Sequence, residues 1–286
     1  MNLWVIGGDL RQLKLAELLV QDGHTVQTYA MERRPEPHTL PGSDTLRGVE
    51  RADCVILPLP MTAERGMLNA PLSDHRISIQ TVLDAMTAGQ ILCAGRISPE
   101  VVQQAQERGL IVRDYFAREE LKIKNAVPTA EGAIQIAMEE LPTTLYGTRV
   151  LVIGFGRIGK LLAHRLKGMG ARVTVSARKY EDLAWIETYG YCSEHTDQLD
   201  GWLGGYQLVI NTVPARVLDG ARLRDLDEGT LVIDLASKPG GVDVQAAAQL
   251  GVKVIWALSL PGKVAPVTSG SIIRDTVYHI LQELEP

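Results

Sequence analysis

The chain has 286 residues, 45% hydrophobic and 22% charged, with a formal net charge of −5. That length predicts two domains, each with an ordinary buried core, and the acidic balance argues against a nucleic-acid partner. Cys54, Cys93 and Cys192 match no metal or redox spacing, so no metal site is expected, and two of them fall in apolar strand-like runs as reduced core thiols would. No apolar stretch approaches a membrane span. The segment from Met1 to Asp9 lacks a basic start and is too short for a signal peptide, which makes the cytoplasm the expected compartment.

Apolar runs alternate with helix-period segments along the whole chain, the pattern of βαβ units around a parallel sheet. In the first half, strands are predicted at Leu3 to Ile6, Thr25 to Tyr29, Ala52 to Leu57, Gln90 to Ala94 and Leu110 to Arg113. Helices are predicted at Leu10 to Gln21, Ile77 to Ala88 and Pro99 to Arg108, and residues Arg33 to Gly48 read as a Pro-rich surface loop. Pro128 and Thr129 look like a helix start, with Thr129 as N-cap of a buried linking helix, and Gly147 looks like a hinge. In the second half, strands are predicted at Val150 to Ile153, Val173 to Ser176, Leu208 to Asn211, Leu231 to Leu235 and Val252 to Trp256. Ile273, Val277, Ile280, Leu281 and Leu284 share one face of a C-terminal helix that must dock on something. The fold class predicted is α/β, with two tandem doubly wound parallel-sheet (Rossmann-like) domains. Residues 1–127 form the first, 128–146 the linking helix, 147–265 the second domain and 266–286 the docking helix.

The segment Arg149-Val-Leu-Val-Ile-Gly-Phe-Gly-Arg-Ile-Gly159 is a strand run leading into G-x-G-x-x-G with a helical stretch behind it. In that setting Gly154 allows the tight turn, Gly156 lets backbone reach a pyrophosphate, and Gly159 lets helix pack on strand. Phe155, Arg157 and Ile158 complete the turn. At the end of the next strand, where an NAD enzyme carries an acidic residue for the ribose, this chain has Ser176-Ala177-Arg178-Lys179, whose cations suit a 2′-phosphate. The cofactor predicted is NADP.

Ligands of open parallel sheets sit beyond the carboxyl ends of the strands. That rule adds Asn211, Thr212, Val213 and Pro214 to the predicted cofactor loops, and Ala236 and Ser237 near the nicotinamide end. Arg11 and Arg96, at strand ends of the first half, are candidate binders of a substrate carboxylate. Asp9 and Gln12 look like a capping box in which Arg11 has no part. Asp114, Tyr115 and Lys238 are the candidates for a general base, since no His paired with a carboxylate is found in these loops and His195 lies in a polar stretch.

Taken in order, Ile6-Gly-Gly-Asp-x-Arg-Gln12, Asn125-x-Val-Pro-Thr-x-Glu-Gly132, Gly154-x-Gly-Arg-x-Gly159, Asp234-Leu-Ala-Ser-x-Pro-Gly-Gly241 and Leu260-Pro-Gly-x-Val-Ala-Pro266, with Thr268 and Gly270, resemble the A-subunits of bacterial dipicolinate synthases over nearly the whole chain. The resemblance implies an NADP-type oxidoreductase fold related to formate/glycerate and alanine dehydrogenases, acting in the mother-cell cytoplasm of a sporulating bacterium. It implies that a flavoprotein-like B-subunit is the partner, that a small dicarboxylate is the substrate, and that a dihydrodipicolinate-type intermediate is oxidised to pyridine-2,6-dicarboxylate. No nucleic acid or membrane is expected as partner, and a homo-oligomer is expected. Two alternatives stand beside it: an NADP-dependent 2-hydroxyacid or shikimate-type dehydrogenase, and a nucleotide-binding regulatory subunit of a two-subunit synthase.

Overall fold

A computed structural model describes residues 1–33, 35 and 40–284. It divides into two units, one formed by Met1–Asn125 with the C-terminal stretch from Pro261, the other by Ala126–Leu260. Part of the predicted Pro-rich loop, at residues 34 and 36–39, lies outside the described residues.

In the first unit the elements run β1 (Asn2–Ile6), α1 (Leu10–Gln21), β2 (Thr25–Tyr29), β3 (Gly42–Ser43), β4 (Cys54–Ile56), the short antiparallel pair β5 (Thr62–Glu64) and β6 (Met67–Leu68), α2 (Ile79–Asp84), β7 (Ile91–Ala94), α3 (Pro99–Glu107) and β8 (Ile111–Asp114). The sheet order β3-β2-β1-β4-β7-β8 is parallel throughout. Alternation along β1 sends Leu3 and Val5 to one face, with Cys54, Ile56 and Cys93, and Trp4 and Ile6 to the other, with Val55 and Leu57. Because both faces are covered, these strands read as unbroken apolar runs.

Helix α4 (Glu119–Glu140) follows, and it corrects one expectation. The predicted start at Thr129 and the linking segment 128–146 do not exist as such, since Pro128 sits inside a single long helix. Glu119 and Glu120 occupy its first turn, where carboxylates favour the helix dipole. The buried stripe Leu121, Ala126, Ala130, Ala133, Ile134 and Ala137 runs straight past the proline. Burial along that stripe offsets the hydrogen bond that Pro128 cannot make, a loss of about 3 kcal/mol. The segment Asn125 to Thr129 is therefore helical.

The second unit contains β9 (Arg149–Ile153), α5 (Arg157–Gly168), β10 (Arg172–Ala177), α6 (Tyr180–Thr188), β11 (Cys192–His195), β12 (Leu208–Asn211), α7 (Gly220–Arg224), β13 (Leu231–Asp234), α8 (Val244–Leu250) and β14 (Lys253–Trp256). Its sheet order, β11-β10-β9-β12-β13-β14, repeats that of the first unit and is again parallel. Both units are thus doubly wound, with the strand order reversing beside β1 and beside β9. A crevice is expected at each reversal.

The chain closes with α9 (Leu260–Val264) and α10 (Pro266–Gln282). Helix α10 buries Ile272, Ile273, Val277, Ile280 and Leu281 in the core that α1 lines from its own side with Leu15 and Leu19. The helices cross closely, because a Cβ on Gly270 would stand 2.9 Å from the Arg11 carbonyl oxygen and the Leu15 nitrogen. Tyr278 donates to Asp22 at 2.8 Å, and Arg118 forms a two-pronged pair with Glu283 at 2.5 and 2.8 Å. The docking helix therefore belongs to the first unit, and residues 261–265 go with it rather than with the dinucleotide unit predicted to extend to 265. Among the described residues no helix is long and apolar enough to cross a membrane.

Candidate functional site

At the carboxyl end of β9 the three glycines of the motif differ in what surrounds them. Gly154 has φ +100°, which favours glycine, and its backbone N donates to the Ser176 carbonyl at 2.8 Å. A Cβ on Gly159 would lie 1.9 Å from the Gly154 carbonyl oxygen, so α5 can pack at this spacing only without a side chain there. A Cβ on Gly156 would meet nothing within 4 Å. The space beside Gly156 is open rather than filled by protein, as close approach of a pyrophosphate requires. Gly156 is also the N-cap of α5 and offers no capping side chain, which leaves the helix N-terminus available to an anion.

A cavity of about 470 Å³ opens there, lined by Gly154, Phe155, Gly156, Ala177, Arg178, Lys179, Thr212, Val213 and Pro214 from the predicted loops. Arg178 is exposed, and its side chain has no hydrogen bond or ion pair among the described residues, whereas Lys179 pairs with Glu181 at 3.1 Å. The carbonyl of Arg178 is held at 2.9 Å from Nε2 of His195, whose ring lies against Tyr180. Although its stretch reads as polar surface, His195 ends β11 and braces the cationic turn.

Several predicted cofactor contacts do not line this cavity. Ser176 is fully buried and its hydroxyl accepts from Thr196 Oγ1 at 3.2 Å. Asn211 is fully buried too, donating to the Val213 carbonyl and to Asp234 Oδ1 and accepting from the Val213 nitrogen. Asp234 Oδ1 also takes the Ala236 nitrogen, and Oδ2 takes the Gly241 nitrogen at 2.8 Å. Asn211 and Asp234 thus shape the two loops from beneath, where a buried polar side chain must be satisfied by its neighbours. Arg157, Ile158, Gly159, Ala236 and Ser237 also fall outside the lining. Missed from the sequence were Arg216 and Arg222, with Asp182 and Asp197 as the acids of the wall. Arg222 is held by Asp200 at 2.6 Å and by the Val217 carbonyl at 2.9 Å. Only its helix-opening context, after Asp219, could have hinted at this.

The first unit repeats the strand–turn–helix opening but closes the anion site. Asp9 caps α1 with φ −99° and ψ −163°, and Gly156 caps α5 with φ −81° and ψ −164°. Where α5 offers an open N-terminus, the Asp9 carboxylate accepts from the Arg11 nitrogen at 3.0 Å. Where α5 has Gly159, α1 has Gln12, whose side chain packs on Gly8 so closely that a Cβ there would lie 2.2 Å from Cγ. The predicted capping box is not formed. Gln12 Nε2 donates to the Leu57 carbonyl at 2.8 Å and to the Tyr115 hydroxyl at 3.3 Å, and its buried Oε1 has no partner among the described residues. Arg11, expected to stand apart from the cap, is instead 7% exposed and clamps Asp9 with Nε and Nη2 while donating to the Leu59 carbonyl at 2.5 Å.

Of the candidate bases, Tyr115 is fully buried, donates to the Leu57 carbonyl at 2.8 Å, and burial pushes its phenol far above the ordinary range against the opposing Arg11 charge. A phenol so placed is a core group, not a base reached by substrate. Asp114 accepts from the backbone nitrogens of Arg96, Ile97 and Phe116 at 2.8–3.0 Å. Lys238 is exposed, and its side chain is without a partner among the described residues. Arg96 is exposed at φ +63°.

Residues 2–116 match the family model for the N-terminal domain of the dipicolinate synthase A-subunit, and residues 115–237 match "D-isomer specific 2-hydroxyacid dehydrogenase, NAD binding domain". The chain is 31% identical to the dipicolinate synthase A-subunit of Bacillus subtilis (strain 168), across all of this chain and 97% of the relative. The solved structure of the Bacillus halodurans dipicolinate synthase A-subunit superimposes with a TM-score of 0.88 at 29% identity, covering 100% of this chain and 98% of that one. The corresponding Bacillus subtilis structure gives 0.86 at 30% identity, covering 100% and 97%. An L-alanine dehydrogenase shares the fold at a TM-score of 0.68 and 17% identity, covering 99% of this chain and 90% of that one. The second unit is thus a nicotinamide-nucleotide-binding domain of the dehydrogenase type, and the chain belongs to the dipicolinate synthase A-subunit family.

Proposed function

We propose that the chain is the NADP-dependent subunit of a dipicolinate-forming oxidoreductase, removing a hydride and a proton from a dihydropyridine-2,6-dicarboxylate. The observation that carries the cofactor choice is the turn Ala177-Arg178-Lys179 on the cavity wall, where no carboxylate occupies the end of β10. Arg178 and Lys179 would hold the 2′-phosphate, and the open space beside Gly156 would take the pyrophosphate. When bound, NADP supplies the hydride acceptor, and aromatisation of the ring makes the transfer favourable. The protein's own part is then to hold carboxylates and let one proton leave. Arg96 supplies a carboxylate partner, while Arg11 is committed to Asp9 and Leu59. Tyr115 is sealed in the core and Asp114 is occupied by backbone, so the proton passes to solvent rather than to either of them. The mother-cell cytoplasm and a flavoprotein-like second subunit, the B-subunit, belong to the same reading, which similarity over the full chain supports.

The match of residues 115–237 to a 2-hydroxyacid dehydrogenase domain favours a second reading, a 2-hydroxyacid as substrate. The two separate in one assay: protein with NADP and either a dihydrodipicolinate-type substrate or a panel of 2-hydroxyacids, followed by NADPH formation. For the cofactor, calorimetric titration of the Arg178→Ala/Lys179→Ala protein should show NADP weakened by about 1.5–3 kcal/mol for each charged hydrogen bond lost. NAD binding should be nearly unchanged. Equal losses for both nucleotides would overturn the NADP assignment.

A further inference from the structure

Arg96 follows Gly95 at the end of β7, and its backbone lies at φ +63°. A non-glycine residue in that left-handed region is strained, and glycine would fill the same turn without strain. The turn is nevertheless pinned from two sides. A Cβ on Gly95 would stand 2.7 Å from Leu59 and from the Tyr115 ring, so the chain before Arg96 is wedged between them. Beyond it, Asp114 Oδ1 accepts from the Arg96 nitrogen at 3.0 Å and from the Phe116 nitrogen at 2.8 Å, while Oδ2 accepts from the Ile97 nitrogen at 3.0 Å. Asp114 is the last residue of β8 and pairs in register with Ala94, so the carboxylate reaches the turn from an adjacent strand. Ser98 then caps α3 and fixes the exit. The amides of Arg96 and Ile97 are both engaged, whereas the Arg96 side chain is exposed and has no hydrogen bond or ion pair among the described residues.

We infer that Asp114 is a positioning residue: through the Arg96 and Ile97 amides it holds Arg96 in a left-handed turn that presents the guanidinium to a carboxylate of the substrate. The inference rests on the reading above that Arg96 binds a dicarboxylate. It accounts for an otherwise unfavourable choice of residue, because strain of this kind persists only where the surroundings over-determine it. It also explains why an aspartate is needed. Two oxygens collect three amides, whereas asparagine would turn an N–H group toward one of them.

The test is a double-mutant cycle on the full chain, with dipicolinate as the probe and NADP as the control ligand, read by calorimetry. Arg96→Ala and Asp114→Asn should each weaken dipicolinate by about tenfold or more, and the double variant should bind no more weakly than Arg96→Ala alone. NADP affinity should stay at the wild-type value in all of them. Asp114→Glu, which keeps the charge on a longer arm, should recover part of the loss and serves in the cycle if Asp114→Asn does not fold. Wild-type dipicolinate affinity in both Asp114 variants would overturn the inference. So would an Asp114 effect of equal size with and without Arg96, which is what a purely structural staple gives. Normal dipicolinate binding by Arg96→Ala would instead remove the carboxylate reading itself.

Discussion

Arg11 and Asp9 form a two-pronged ion pair at the start of α1, Nε to Oδ1 at 2.9 Å and Nη2 to Oδ2 at 2.8 Å, over the helix end that in α5 is left open beside Gly156. The pair turns the first unit's strand–turn–helix from an anion site into a closed corner. The guanidinium also holds the loop after β4 through the Leu59 carbonyl. Arg11→Ala should therefore lower stability by about 2–3 kcal/mol, since it removes the side-chain donors of a half-buried carboxylate and leaves the Leu59 carbonyl without its donor. Chemical denaturation of the variant tests this, and an unchanged midpoint would assign the pair no structural weight.

The glycines of the second unit should separate fold from site. Gly159→Ala forces a Cβ against the Gly154 carbonyl, so α5 must shift, and a stability loss of about 1–3 kcal/mol is expected together with weakened nucleotide binding. Gly156→Ala puts its methyl into open space and should cost about 1 kcal/mol or less, the difference between glycine and alanine at an N-cap. It should still lose most of its affinity for NADP. Thermal melts and nucleotide titrations of the two variants, side by side, check both halves.

Tyr115→Phe removes a buried hydroxyl while Gln12 still donates to the Leu57 carbonyl, so the loss should be about 1 kcal/mol. The pH profile of turnover should keep its shape in this variant. Disappearance of one limb of that profile would restore the phenol as the base.

Docking of α10 should depend on acid pH. Bonds to Arg118 hold the carboxyls of Glu283 and Glu120 below the ordinary range. Groups whose folded pKa is depressed contribute stability above the unfolded value, about 4.3 for Glu, and lose it as pH falls through the folded one. The difference in melting temperature between wild type and Arg118→Ala should accordingly be present at neutral pH and shrink as the protein is acidified below that value. A difference that persists undiminished at low pH would mean that Arg118 acts through packing.

Much of this protein is written in local sequence. The strands β1, β4, β7, β9, β12 and β13 are apolar runs because neighbours cover both faces, and that requirement shows in any short window. The glycine turn before α5 is equally local, as is the cationic turn after β10, since each is set by the conformations and charges of a few consecutive residues. The edge strands β3 and β11 escape such reading. Strand β3 is only two residues long, and Cys192-Ser-Glu-His195 carries no apolar period, which hid the bond from His195 to the Arg178 carbonyl. Helix α4 escapes for the opposite reason: Pro128 is a strong local stop that a longer buried stripe overrides. What only the tertiary structure decided is the work of individual polar side chains. Sequence places Arg11 two residues from Asp9 and Asp114 beside Tyr115, but a polar group becomes clamp, staple or exposed ligand according to which distant atoms arrive next to it. For Arg11 these are the carbonyl of Leu59, and for Asp114 the amides of Arg96 and Ile97, all delivered by other strands of the sheet.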